Sequence, residues 1–423
     1  MTKLYPALQK FYTALKNIQR FSKESNFIDN IGCIDVFLSE YRSITLVLQT
    51  TLGSANDSVY LNNRDSLLLK DKDVAKWFND GRVQVVHQHP FKLKKILRVI
   101  IYDYGRAVEY KRIEQTIEDG VSISTYLDEI KKEILSIGER EVNFSIEYFF
   151  VDMSDNSETN LFHFIEKGIS NMWTFLKAMK RDLVANGDIT DKLMMEIEEI
   201  LVSLPPRWMI DSIDYTFFLS SNDFKRGELV TMLLPDVRMP MNAFYQFVNQ
   251  FAQAKDYFEA FILMHTLIYL KQNRNILTTF FIEYDDETYQ TIAFASTIRT
   301  TMYRYVNRVA EIVANNKIKN VYLATEMIHY DVGDCNDLLE LCKLSYIERI
   351  NKSKRNVTLL SFYKITSIGS VVSKFIDTNR LIEGDSLNVA ISRAAVKDEN
   401  QIAYIMLTPI VENLRKISKK SVV

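Results

Sequence analysis

The spacing of apolar residues changes near residue 275, and that change limits what the chain can fold into. Upstream, apolar side chains recur every three to four residues, as they do on one buried helix face. Leu8, Phe11, Leu15 and Ile18 follow this spacing, then Ile34, Phe37, Leu38, Tyr41, Ile44 and Leu48, with Gly53 as a stop. Downstream, residues 276–284 and 289–296 are β-rich runs separated by Asp285-Asp286-Glu287, which reads as a hairpin. Residues 321–329, 357–365 and 402–407 are further strand candidates, while Met302, Tyr305, Val306, Val309, Ile312 and Val313 return to helical spacing. Strands alternating with helices imply a sheet with covering helices, so the expected class is α+β. An all-α N-terminal half precedes a C-terminal α/β domain with a mixed sheet of about five strands. Only 12 Gly and 7 Pro in 423 residues also favour long helices over a turn-rich all-β fold.

Within the first half, Val74, Trp77, Phe78 and Val85 mark a helix ending before Pro90, and Pro90 suits the first turn of the next. Leu93, Ile96, Leu97, Ile100, Ile101 and Val108 make one apolar face of that next helix, and residues 113–137 give another. Residues 144–151 read as a short strand or a buried connector. Leu161, Phe164, Ile165, Met172, Phe175, Leu176 and Met179 mark an amphipathic helix, and residues 191–204 a second, stopped by Pro205-Pro206. Residues 241–272 are helical and unusually apolar, a buried element joining the halves. The boundaries this pattern suggests are 1–140, 141–274 and 275–423.

A net charge of -2 leaves no long-range field for nucleic acid, so any such partner must meet a local patch. Cys33, Cys335 and Cys342 contain no C-x-x-C pair, which excludes the common zinc spacings and fits reduced cytosolic thiols. The opening residues lack the apolar core of a signal peptide. The longest apolar stretch, 257–270, is interrupted by Glu259 and His265 and falls short of the roughly 20 residues a bilayer span needs. A cytoplasmic address without a membrane partner is expected. There is no phosphate-binding loop, dinucleotide fingerprint, G-x-S-x-G elbow or H-E-x-x-H pair, which argues against an ordinary NTPase, dinucleotide enzyme, hydrolase or zinc protease. No cofactor is expected.

The chemistry-bearing stretch is Arg82-Val83-Gln84-Val85-Val86-His87. Four residues separate Arg82 from His87, and six separate it from His89. On a helix, a step of five turns the second side chain about 140° from the first, while a step of seven brings it nearly into line. His89 precedes Pro90, which pushes it out of helical geometry, so His87 is the better helical candidate. An Arg, four to six residues, then His, near the end of a helix in an all-α domain, resembles the HEPN superfamily over residues 1–140. The resemblance implies a small helical bundle that often dimerises and sets motif copies from two subunits in one cleft. Many members are metal-independent RNases, several of them toxins or defence effectors, and others only bind. Directly after the Arg, where family RNases frequently carry Asn, Asp or His, this chain has Val83. In such a site the RNA 2′-hydroxyl is the nucleophile. Arg82 would hold the scissile phosphate and His87 would take or return a proton.

Residues 91–112 carry seven basic side chains against two acidic ones. With His89, the cations Lys92, Lys94, Lys95 and Arg98 would form a phosphate-tracking strip for RNA beside the motif, or else the solvated face of an amphipathic helix. Two other readings stand beside this one. The first is a non-catalytic interaction protein whose C-terminal domain binds a protein partner or ligand. The second is a divalent-metal site at Glu326, His329, Asp331 and Asp334, joined by Glu283 and Asp285, against which stands a plain acidic loop. His163 and His265 sit among apolar neighbours as packing or hydrogen-bonding residues, and Trp77, Trp173 and Trp208 read as core or interface anchors.

Overall fold

In the computed structural model the described residues are 3–22, 25–53, 57–121, 123–137, 141–153, 160–183, 188–204, 211–219, 221–233, 238–251, 253–271, 275–331, 351, 355–382, 395–397 and 405–420. The first half runs α1 (Tyr5–Ile18), α2 (Phe27–Leu52), α3 (Asp57–Asn63), α4 (Lys72–His87), β1 (Leu93–Tyr102), β2 (Glu109–Ile117), α5 (Ile123–Ile137), β3 (Glu141–Asp152), α6 (Leu161–Asp182) and α7 (Asp188–Ser203). The second half runs β4 (Asp211–Phe218), β5 (Asp223–Arg226), β6 (Leu229–Leu233), β7 (Met239–Pro240), α8 (Met241–Asn249), α9 (Tyr257–Lys271), β8 (Thr278–Tyr284) and β9 (Thr288–Ser296). It continues with α10 (Arg299–Asn315), β10 (Ile318–Asp331), β11 (Arg355–Thr366), β12 (Val371–Asp377), α11 (Thr378–Ile382), β13 (Ala395–Lys397) and α12 (Thr408–Lys420). The class is α+β, as the change of period implies.

The chain divides into two compact units, each drawn from separated stretches of sequence. One comprises Met1–Arg98, Glu114–Asp128 and Glu147–Ser212, the other Val99–Ile113, Glu129–Ile146 and Ile213–Val423. These limits differ from the linear boundaries at 140 and 274, because residues 99–113 and 129–146 pack with the later chain.

The first unit is built on helices α1, α2, α4, α6 and α7. Asn26 caps α2 by accepting from the Asp29 N–H at 2.8 Å, and Gly53 ends it at φ +67°, a conformation that suits glycine. Its core interleaves Phe11, Phe37, Leu38, Phe78, Phe175 and Leu176, with the Tyr41 and Phe78 rings stacked at 4.0 Å. Gly168 of α6 makes that stack possible, since a Cβ there would lie 2.0 Å from the Phe78 ring.

The second unit holds an eight-stranded sheet of order β13-β12-β11-β10-β8-β9-β6, with β7 also pairing β9. Its described pairings are antiparallel, not mixed. Alternation along β8, β10 and β11 feeds two cores. Val321 and Leu323 of β10 join Val306 and Val309 of α10 and Ile410 of α12, while Tyr322 and Ala324 join Phe244 of α8 and Phe261 of α9. The apolar stretch expected as one buried helical element thus supplies two helices, α8 and α9, covering one sheet face. The Asp285-Asp286-Glu287 hairpin joins β8 to β9 as expected. Residues 405–407 form a 3-10 turn, and the rest of the expected 402–407 strand lies outside the described residues.

The clearest departure is β1. Residues 93–108 were expected as a helix and instead supply a strand, while the expected helix over 113–137 is the end of β2 followed by a turn at Gly120 and α5. Leu93, Leu97, Val99 and Ile101 are buried on one face, and on the other Ile96 and Tyr102 are buried with Ile100 half-buried, so neither face of β1 is bare and its apolar residues do not alternate cleanly with polar ones. The neighbouring Val99, Ile100 and Ile101 are β-branched and favour the extended form. A second sheet has the order β2-β1-β3-β4-β5. Among the described residues, no helix is long and apolar enough to cross a membrane.

Candidate functional site

Helix α4 carries the Arg and His of the motif, and its neighbours hold it in place. Asp71 caps it by accepting from the Val74 N–H at 3.4 Å and also ion-pairs with Lys167 of α6. Val74, Trp77, Phe78, Gly81 and Gln84 face inward. Trp77 stacks on Phe164 at 5.3 Å and donates Nε1–H to Asp152 Oδ2 at 3.1 Å, which ties α4 to α6 and to the end of β3. Gly81 brings α4 close to α2, where a Cβ would lie 3.1 Å from Leu38 Cδ1.

With that stripe fixed inward, Arg82 and His87 emerge on its two flanks, about 140° apart around the axis and about 7.5 Å apart along it. Arg82 is half-buried and His87, the last residue of α4, is exposed. Neither makes a hydrogen bond or ion pair among the described residues. Within one chain the motif is therefore free of partners but divergent. His89 lies beyond the helix, its Nδ1 2.9 Å from the Pro90 carbonyl oxygen and 3.4 Å from Gln84 Nε2, and its backbone N–H donates to Gln84 O at 3.0 Å.

The expected basic strip is only partly present. Lys92, Lys94, Lys95 and Arg98 lie on β1 and the turn before it, not on a helix, so their spacing follows a strand. Arg98 is held by Glu114 at 2.6 Å and Glu147 at 3.8 Å, and its guanidinium lies over the Phe149 ring. The Lys95 ammonium lies over the Tyr148 ring at 4.9 Å. Arg98 is thereby paired, and Lys95 is held over a ring, by residues of β2 and β3 that sequence spacing does not bring near them. Lys92, exposed, and Lys94, half-buried, have no such partners among the described residues.

One group near the motif carried no sequence signal. Asp35 of α2 accepts the Phe91 N–H at 2.9 Å, just past His89 and Pro90. Burial pushes its carboxyl above the usual range, against the opposing pull of that N–H. A cavity of about 320 Å³ also opens in this unit, beside the first two turns of α4, and neither Arg82 nor His87 lines it.

Of the metal candidate, only Glu283, Asp285 and Glu326 have described side chains. Among the described residues no three His, Cys, Asp or Glu gather in a group that could hold an ion. Glu283 is buried and accepts from Tyr322 at 2.6 Å and Asn320 at 2.7 Å, with Lys319 at 3.2 Å. It pairs beside Asn320, six residues and about 20 Å along β10 from Glu326, which rules out a shared ion. Burial pushes the Glu326 carboxyl up. The side chains of His329 and Asp331, and all of Asp334 and Cys342, lie outside the described residues, as does Trp208. Trp77 and Trp173 are core residues. His265 is buried, whereas His163 is exposed on α6, not packed inward.

No family model, curated protein or solved structure matches this chain.

Proposed function

We propose that the helical unit acts on RNA as a HEPN-like module, with Arg82 gripping a backbone phosphate and His87 exchanging the proton of the reacting hydroxyl. The observation that carries this reading is the state of the pair on α4. A half-buried guanidinium with no hydrogen bond or ion pair among the described residues stands at the end of a helix whose last residue is an exposed imidazole. Buried or half-buried cations are ordinarily paired, so an unoccupied Arg fork suits an incoming phosphate. In the reaction, the 2′-oxygen bonds to the adjacent phosphorus and the bond to the 5′-oxygen breaks, leaving a 2′,3′-cyclic phosphate and a 5′-hydroxyl. An imidazole takes the proton of the 2′-hydroxyl, and an acid supplies one to the departing oxygen.

Because Arg82 and His87 diverge on one helix, the reading calls for a second copy of the chain against the end of α4. Arg82 of one copy then faces His87 of its partner, and a homodimer is the working form. Lys92 and Lys94, free of partners among the described residues, extend the contact along the backbone. The test is incubation of the full chain with cellular RNA in the presence of a chelator. Cleavage leaving cyclic-phosphate ends is expected, falling by about a hundredfold or more in Arg82→Ala and in His87→Ala. Unaltered cleavage in both variants, or none in the parent, would overturn the reading.

A further inference from the structure

We infer that the cavity beside α4 is a binding site for a small organic anion, a molecule with a compact apolar body and one acidic headgroup. The pocket of about 320 Å³ is formed by α2, the π-turn at Arg64–Leu68, the start of α4, and α6. That volume lies at the lower end of the range for small-molecule sites, roughly 300–1,000 Å³, so it admits one ring system and its substituent. Its walls are apolar, supplied by the stacked Tyr41 and Phe78 rings and by Leu68, Val74 and Met172.

The charge of the lining is one-sided. Arg42, Arg64 and Lys76 face the cavity, and no Asp or Glu is among the lining residues. Arg64 is already paired with Asp65 at 2.7 Å, which leaves Arg42 and Lys76 as the cations without an acidic partner among the described residues. Arg42 is the more telling. Its Nη1 donates to the buried Thr45 Oγ1 at 2.8 Å, which fixes the guanidinium, while its Nε is buried without a partner among the described residues. A guanidinium fixed at the wall of a low-dielectric recess, with no carboxylate paired to it among the described residues, is complementary to a carboxylate, sulfonate or phosphate oxygen. The amides of Asn79 and Asn171 add neutral hydrogen-bonding groups at the wall. The site is independent of the RNA reading, since the residues of that reading do not line it.

The test is titration of the full chain with 8-anilinonaphthalene-1-sulfonate and with N-phenyl-1-naphthylamine, which has the same rings without the sulfonate. One saturable site is expected for the charged dye, bound about tenfold or more tightly than the neutral one. Arg42→Gln should weaken the charged dye by a similar factor. Lys76→Gln, at an exposed position, should weaken it about twofold to fivefold. Ala75→Phe, which fills the recess, should abolish binding. Benzoate and phenyl phosphate as competitors identify the preferred headgroup. Equal affinity for the two dyes would overturn the proposal. So would an unchanged affinity for the charged dye in Lys76→Gln, a variant that removes no buried atom and therefore decides the matter even if Arg42→Gln fails to fold.

Discussion

His265 of α9 holds its Nδ1 2.9 Å from the Phe261 carbonyl oxygen, and complete burial pushes its pKa down to about 4. The unfolded chain takes up this proton near pH 6.5, whereas the folded chain does so only near pH 4. The stability this residue contributes is therefore full above pH 6.5 and drains away as pH falls through that window, by about 3 kcal/mol at most. Urea midpoints followed by far-ultraviolet circular dichroism at pH 7 and pH 4.5 check this. The parent should lose more stability on acidification than His265→Gln, which carries no titrating group; equal losses would contradict it. At the same scale, the placement of Arg82 and His87 at the end of a helix was legible, because four intervening residues and Pro90 bound the helix end. The fates of Lys95 and Arg98 were not, since their partners Tyr148, Glu114 and Glu147 come from distant strands.

Among the elements, those with one wet face declared themselves. α1, α2, α6, α7 and α10 all follow from apolar periodicity, because solvent on one side imposes polar residues at regular intervals, while the β8–β9 hairpin, buried on both faces at β8, was marked by its β-rich runs and the turn between them. β1 is covered on both faces, so its apolar residues fell by accident into a helical rhythm. The short strands β6 and β7 pair with β9, remote in sequence, while β4 and β5 form a short hairpin whose runs are too brief and polar to stand out. The packing of α4 against α6 has a sharper test. Gly168 leaves no room for a methyl group, because the Phe78 ring occupies the space and Phe78 is itself stacked on Tyr41. Gly168→Ala should destabilise the helical unit by about 1–3 kcal/mol through overpacking. All three tryptophans fall within the sequence limits of that unit, so a lowered denaturation midpoint in tryptophan emission is expected, and an unchanged midpoint would show that the two helices do not pack this closely.

For the whole molecule, the decisive property is the number of copies that act together. The divergence of the motif on α4 asks for two, and light scattering should return twice the 49.3 kDa chain mass. The more direct measurement mixes two inactive proteins. Arg82→Ala and His87→Ala are combined, allowed to exchange subunits, and assayed for RNA cleavage. If Arg82 of one copy works with His87 of the other, each mixed dimer regains one intact site, and activity recovers to about a quarter of the parent's. A mixture as inactive as either variant alone would contradict the shared site.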